Sequence, residues 1–308
     1  MDTLRTPDAR FSATRAAFPY SPTYVTVPVG DGDTVRMATY AAGPETGPVV
    51  VLLHGEPTWS YLYRHVMERL AVRGARAVAI DLVGFGRSDK PANVGDHSYA
   101  AHVAWTRAAM EALGLSDVTL VGQDWGGLIG LRIATEAGGL VAGFVAANTG
   151  LPTGDHPMPD IWWTFRRAIE SAPVVEVGRF VASGCVRGLA DVDRAAYDAP
   201  FPDESFKAGP RAMPGLVPTA ADDPAADANR AAWARLATWH QPFLVAFSDG
   251  DPITGPMADV FRLTVPAAGR EPSTVLRNAG HFLQEDAGPE LGVAIADFLD
   301  RTATGSPG

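Results

Sequence analysis

The sequence predicts an α/β fold: a mostly parallel central sheet flanked by helices, interrupted once by an inserted helical cap. Three observations carry this. Short apolar runs such as VVVLLH and DVTLVGQ alternate with longer stretches whose apolar residues recur at helical spacing; the alternation stops after Asn148; and it resumes after about Asp227.

In chain order, residues 24–28 and 35–40 read as an antiparallel lead-in. The runs at 49–54, 76–81, 117–123 and 141–148 read as buried parallel strands, because a strand covered on both faces is apolar throughout rather than alternating. Helices are expected between them at 60–72, 99–113 and 127–137. Residues 151–227, rich in Pro, Gly and Ala and carrying the pair Trp162 and Trp163, form the expected cap. A helix near 230–238, a strand at 242–248, a helix from Pro256, a strand at 273–278 and a last helix at 290–300 complete the pattern. The chain thus divides into a first core part (1–150), the cap (151–227) and a second core part (228–308). The closing TATGSPG reads as a frayed tail.

A chain of 308 residues buries a large core without covalent staples. Its single cysteine, Cys185, excludes an internal disulfide framework and a cysteine-ligated metal site, and reads as a small buried apolar residue. No apolar run approaches the roughly 18 residues of a membrane span, and no basic leader opens the chain. The net charge of −10 and pI near 5.1 argue against a polyanionic partner. The expectation is a soluble cytoplasmic protein with no nucleic-acid or membrane partner; the oligomeric state is not legible.

The chemistry gathers at strand ends. Gly122-Gln123-Asp124-Trp125-Gly126 sets one reactive side chain on a tight turn between strand and helix, a nucleophile elbow. An acid and a histidine follow in the required order, Asp251 in SDGDPITGP and His281 in NAGHFLQED, each just after a predicted strand. The loop HGEPTWSYLYR after 49–54 can turn the backbone N–H of Glu56 toward the point faced by the N–H of Trp125, forming an oxyanion hole.

Together HGEPTWSYLYR, DLVGFGRSDKP, QDWGGLIGLR, DAPFPDESF and GHFLQED resemble the haloalkane dehalogenases of the α/β-hydrolase fold, in the subfamily whose acid follows the strand before the histidine. The likeness runs from TPDARF onward and is weakest in the cap. It implies hydrolysis of carbon–halogen bonds in small neutral haloalkanes, with halide as product and no cofactor. The chemistry explains why Asp replaces the Ser common at such elbows. A carboxylate is nucleophilic at neutral pH without a base and leaves an alkyl ester, whose carbonyl His281, oriented by Asp251, can attack through water. An indole N–H donates without accepting and so suits the departing halide. Trp125 supplies one. The resemblance implies a second donor in the cap, assigned to Trp163 with Trp162 as the alternative; ungapped spacing to Pro173 brings Phe165, which has no N–H, to that position.

Blander readings compete. On position alone Asp124 is a helix N-cap. Asp249 rivals Asp251, and one of the two only shapes the turn. Glu56 is either a solvated turn residue or a group that orients the oxyanion loop or the hydrolytic water. His54, His65, His97, His102, His156 and His240 lack ligand spacing and read as structural or surface groups, so no metal is expected. Gly84 and Gly86 lack the third glycine of a dinucleotide site, where Asp89 stands. Trp59, Trp105, Trp233 and Trp239 read as packing residues. An epoxide hydrolase would need cap tyrosines, and Tyr197 is the only one there. A haloacetate dehalogenase would need cations near the elbow, and none precedes Arg132. A noncatalytic ligand-binding relative would lose part of the Asp124, Asp251 and His281 set, and all three are present.

Overall fold

The computed structural model describes residues 1–30 and 32–304. Eight strands form one sheet: β1 (Thr23–Gly30), β2 (Asp33–Ala42), β3 (Val49–Leu53), β4 (Arg76–Ile80), β5 (Val118–Gln123), β6 (Val141–Ala147), β7 (Phe243–Ser248) and β8 (Thr274–Leu276), in the order β8-β7-β6-β5-β3-β4-β2-β1. β2 runs antiparallel to both β1 and β4, and the other pairings are parallel. The lead-in therefore holds, although each of its strands is longer than the apolar run that announced it.

Val50 to Leu53, Leu120 to Gln123 and the whole of β7 are buried, as a sheet covered on both faces requires. The covering helices are α1 (Arg64–Val72), α2 (Tyr99–Ala112) and α3 (Trp125–Glu136), followed after the cap stretch by α8 (Ala226–Leu236), α9 (Met257–Thr264) and α10 (Leu283–Thr304). α1 packs on α10, while α2 and α8 pack on α3. Between β6 and α8 lie α4 (Asp160–Ser171), α5 (Val177–Ser183), α6 (Asp191–Asp198) and α7 (Ala208–Ala212), with no strand of the sheet.

The chain leaves β3 outward to β4, then crosses back over β3 to β5 on its other side. At such a reversal the loops after the two strands separate and open a crevice at their carboxyl ends. The Glu56 loop and Asp124 flank it.

Several expectations need correcting. Residues 60–63 are a 3-10 turn and α1 starts only at Arg64. An unexpected 3-10 helix spans Asp8–Ala16, where Phe11 is buried edge-on against Trp59. The boundary after 227 falls inside the first turn of α8. The last helix begins at Leu283 rather than 290, with a break at Ala287 before Pro289, which removes a donor and suits the first turn of a restarted helix. The frayed tail is not seen at 302–304, which continue α10; residues 305–308 lie outside the described residues. Among the described residues no helix is long and apolar enough to cross a membrane.

Candidate active site

Asp124 joins β5 to α3 at φ 50°, ψ −127°, a conformation that non-glycine residues rarely adopt and that costs about 1–3 kcal/mol. The fold holds it there by close packing. A Cβ on Gly126 would lie 2.0 Å from the carbonyl oxygen of Leu53, so only glycine lets α3 approach β3 this closely. Gly55, which the sequence reading passed over, plays the same part opposite: a Cβ there would sit 2.2 Å from Oδ1 of Asp124.

Although Asp124 occupies the N-cap position of α3, its side chain caps nothing. Its Oδ1 accepts the backbone N–H of Glu56 at 2.9 Å, and its Oδ2 lies 3.5 Å from Nε2 of His281. The N–H of Trp125, first in α3, belongs to the group of helix-opening donors that lack an intrahelical acceptor. Glu56 precedes a cis proline, Pro57.

His281 donates from Nδ1 to Oδ2 of Asp251 at 2.9 Å. Asp251 accepts only, so this contact fixes the proton on Nδ1 and leaves Nε2 facing Asp124. Asp251 also takes the N–H of Ile253 at 2.9 Å, the N–H of Thr254 and the Thr254 hydroxyl. Burial alone would raise the Asp251 carboxyl, but the imidazole and these donors outweigh it and hold it below the usual carboxylate range. Burial likewise would lower His281, yet the Asp251 and Asp124 carboxylates carry it up to about 10. Asp249, the rival acid, accepts from the N–H of Ala279 at 3.3 Å and has Arg277 nearby, so it shapes the turn.

Asn148, which the sequence reading used only as a boundary, ties these loops together. Its backbone carbonyl accepts from Asp124 N–H at 3.0 Å, and its side-chain amide donates to Ser248 Oγ at 2.8 Å and to the carbonyls of Gly280 and His281 at 2.9 and 3.1 Å. An Asn at a strand end, three residues before the cap, was the available signal.

Glu56 is buried, against the reading of a solvated turn. Burial first and the Asp124 charge second push its carboxyl well above its ordinary range, with His281 opposing. Its Oε1 has no hydrogen-bond partner among the described residues.

These groups form the floor of a cavity of about 1050 Å³ whose far wall comes from α4 and α5. Trp125 and Trp162 line it, and Trp163 does not. The cavity lining thus favours the alternative, Trp162, over Trp163, which is partly buried against the core and packs edge-on against Trp162, ring centroids 4.8 Å apart. Helical spacing explains why. Trp162 and Ile169 are the buried residues of α4, seven apart and on one face with Phe165, and Trp163 is turned about 100° from that face. Neither the Trp125 nor the Trp162 indole N–H is donated to any described residue. Phe165 also lines the cavity. Trp233, expected as packing alone, lines it too, but its N–H is already given to the Leu151 carbonyl at 2.7 Å.

Cys185 is half-buried on the cavity wall rather than in the core, with its thiol pushed up by burial, and His156 lies at the rim. His54 is structural: it bridges the Gly55 carbonyl and the Leu82 N–H, both at 2.9 Å. His97 and His102 stack in the core beside Trp105. Tyr197 is fully buried away from the cavity, its hydroxyl bonded to Glu285. Among the described residues no Lys or Arg lines the cavity; Arg132 is engaged by Glu136 and Asn229.

An acid-flanked imidazole facing a side chain on a strained strand-to-helix turn defines an α/β hydrolase, here with carboxylate in place of hydroxyl. The model of the alpha/beta hydrolase fold family matches residues 48–287. A haloalkane dehalogenase of Mycobacterium marinum is 48% identical over 97% of this chain and 100% of its own length, and one of Psychrobacter cryohalolentis is 42% identical over 97% and 98%. Among solved structures, a tetrameric haloalkane dehalogenase from Paraglaciecola agarilytica superposes with a TM-score of 0.88 at 33% identity, covering 96% of this chain and 97% of that one. The chain belongs to the haloalkane dehalogenases.

Proposed function

We propose that the protein hydrolyses the carbon–halogen bond of neutral haloalkanes through an ester on Asp124. The observation that carries this is the pair of contacts on one carboxylate: Oδ1 accepts the Glu56 N–H while Oδ2 is turned to His281. In the first half-reaction Oδ2 attacks the carbon bearing halogen from the side opposite the leaving group. A carbon–oxygen bond forms, and the carbon–halogen pair departs as halide onto the Trp125 and Trp162 N–H groups. The ester then has Oδ1 as its carbonyl oxygen, already held by Glu56 N–H. In the second, His281 takes a proton from water through Nε2, the resulting hydroxide attacks Cγ, and the charge gathering on Oδ1 falls to the Glu56 and Trp125 N–H groups. The tetrahedral centre then collapses, the His281 imidazolium gives its proton to the departing alkoxide so that alcohol leaves, and the acid regenerated on Asp124 releases its proton to solvent, restoring the carboxylate.

Asp251 stabilises the imidazolium formed in that step. Esterification also removes the Asp124 charge, one of the two carboxylates that hold His281 high, so the base becomes easier to deprotonate when it is needed. The free Oε1 of buried Glu56 supports a role in orienting the hydrolytic water. Buried Tyr197 leaves no cap tyrosine to protonate an epoxide, and a cavity wall without Lys or Arg favours neutral substrates over haloacids. Incubation with 1,2-dibromoethane and 1-bromobutane should release bromide with alcohol in equal amounts, and bromoacetate should be inert. Absence of bromide release across a broad haloalkane panel overturns the reading.

A further inference from the structure

Resting on that dehalogenase reading, we propose that Gln123 is a positioning residue for the second half-reaction, whose side-chain N–H favours the neutral, proton-accepting form of His281. Gln123 is the last residue of β5 and fully buried, and neither half-reaction calls on its side chain. Its Nε2 lies 3.1 Å from Nε2 of His281 and donates to the His281 backbone carbonyl at 3.2 Å. Its Oε1 has no hydrogen-bond partner among the described residues.

Those contacts fix the orientation of the amide. Its nitrogen carries two hydrogens, so one atom can serve the carbonyl and the ring together. Turned over, the amide would press Oε1 against the His281 carbonyl, acceptor against acceptor. The donor therefore faces the ring. Because Nδ1 keeps its proton on Asp251, Nε2 of the neutral imidazole offers a lone pair to that donor. Once Nε2 is protonated, two N–H groups confront each other and the bond is lost.

The charges around the ring explain why such a donor is useful. Asp251 after β7, Asp124 at the head of α3 and Glu56 after β3 face the imidazole, and the first two favour the imidazolium, which cannot take a proton from water. The Tyr63 hydroxyl is engaged by the Leu53 carbonyl, and Phe282 meets the ring edge-on. No Lys or Arg among the described residues lines the cavity to counter these carboxylates. Gln123 opposes protonation at Nε2 itself, and being uncharged it leaves the nucleophilic charge on Asp124 unpaired.

The test is single-turnover reaction of 1-bromobutane with enzyme in excess, bromide and butanol being followed separately from about pH 5 to about pH 10, in the parent and in Gln123→Met and Gln123→Leu, which lack the amide. Bromide counts the competent sites in each protein. Butanol reports the base: the acid limb of its rate should move up by at least about 0.5 pH units in the variants, with the alkaline plateau within about threefold of the parent. A limb that stays in place overturns the proposal, as does one that moves down, which would mean that the amide oxygen accepts from the imidazolium. If one variant releases no bromide, the other carries the test; if neither does while the parent is active, Gln123 serves the fold or the first half-reaction and the proposal fails. No bromide from the parent overturns the dehalogenase reading itself.

Discussion

The loops at the carboxyl ends of the strands and the helical segment above them hold their side chains by different physics. In the loops, position is set by the backbone: Asp124 at positive φ, the Gly55 and Gly126 contacts that admit no Cβ, and Asn148 bonding at once to Asp124, the end of β7 at Ser248, and the Gly280–His281 loop. In α4 to α7, position is set by which helical face packs inward. Trp162 faces the cavity and Trp163 does not because of one residue's rotation. The first kind of control tolerates almost no substitution and serves chemistry. The second tolerates side-chain exchange at most positions, Trp162 being the exception that the proposed mechanism uses, and it sets the shape of the cavity. One joint couples them: Arg64 of α1, buried, donates to Glu285 Oε2 at 2.7 Å and to Asp193 of α6 at 3.2 Å, while Trp59 donates to Ala196 of the same helix at 3.0 Å.

The largest effect belongs to the loops. Asp124→Ala should lower bromide release by about 10⁴- to 10⁶-fold with the fold retained, since Ala keeps the strained backbone and removes only the carboxylate beside Glu56. Release at the parental rate would show that the residue held by the backbone at the elbow does not carry the chemistry.

His281→Gln should show a burst of one bromide per enzyme, then turnover slowed about 10²- to 10⁴-fold, with an alkyl adduct on the peptide containing Asp124 by mass spectrometry. The same variant reports linkage. His281 is held at about 10 in the folded chain, above its ordinary 6.5, so it stabilises the fold fully below pH 6.5 and loses that contribution as pH rises through about 10. The difference in Tm between parent and variant should accordingly shift against the parent between pH 7 and pH 10.5.

At the joint, Arg64→Met strands the buried Glu285 carboxylate and should cost about 3–5 kcal/mol in urea unfolding. A loss below 1 kcal/mol would mean that α6 docks without help from the Arg64 ion pairs. In the helical segment, Trp162→Phe removes the cavity-lining indole N–H proposed to hold the halide and should weaken bromide quenching of fluorescence and slow turnover about 10- to 100-fold. The smallest effect is that of Trp163→Phe, within about twofold on both measures. If the two tryptophans exchange these outcomes, the face of α4 read from its burial is wrong.

Much of this was legible in the chain. Parallel strands announce themselves as unbroken apolar runs; Asp124 stands directly after one and Asp251 and His281 a few residues after theirs, at Ser248 and Leu276, so strand ends placed all three without any knowledge of long-range contacts. Helix starts were less legible. The 3-10 turn at Ser60–Tyr63 and the restart at Pro289 keep helical spacing of apolar residues while changing the backbone bonds. Least legible was the cap wall. The apolar period of α4 was in the sequence, but it does not say which neighbour the apolar face meets.

The sequence by itself determined the sheet, the order of Asp124, Asp251 and His281, and the loop that meets Asp124, because each is written in residues adjacent along the chain: a glycine beside a strand end, a turn after it. Tertiary structure alone decided that the Asp124 carboxylate leaves the helix it precedes for Glu56 and His281, that Glu56 is buried beside it, and that Trp162 rather than Trp163 reaches the cavity. Those outcomes depend on distances between segments tens to hundreds of residues apart, and only packing against the rest of the fold sets them.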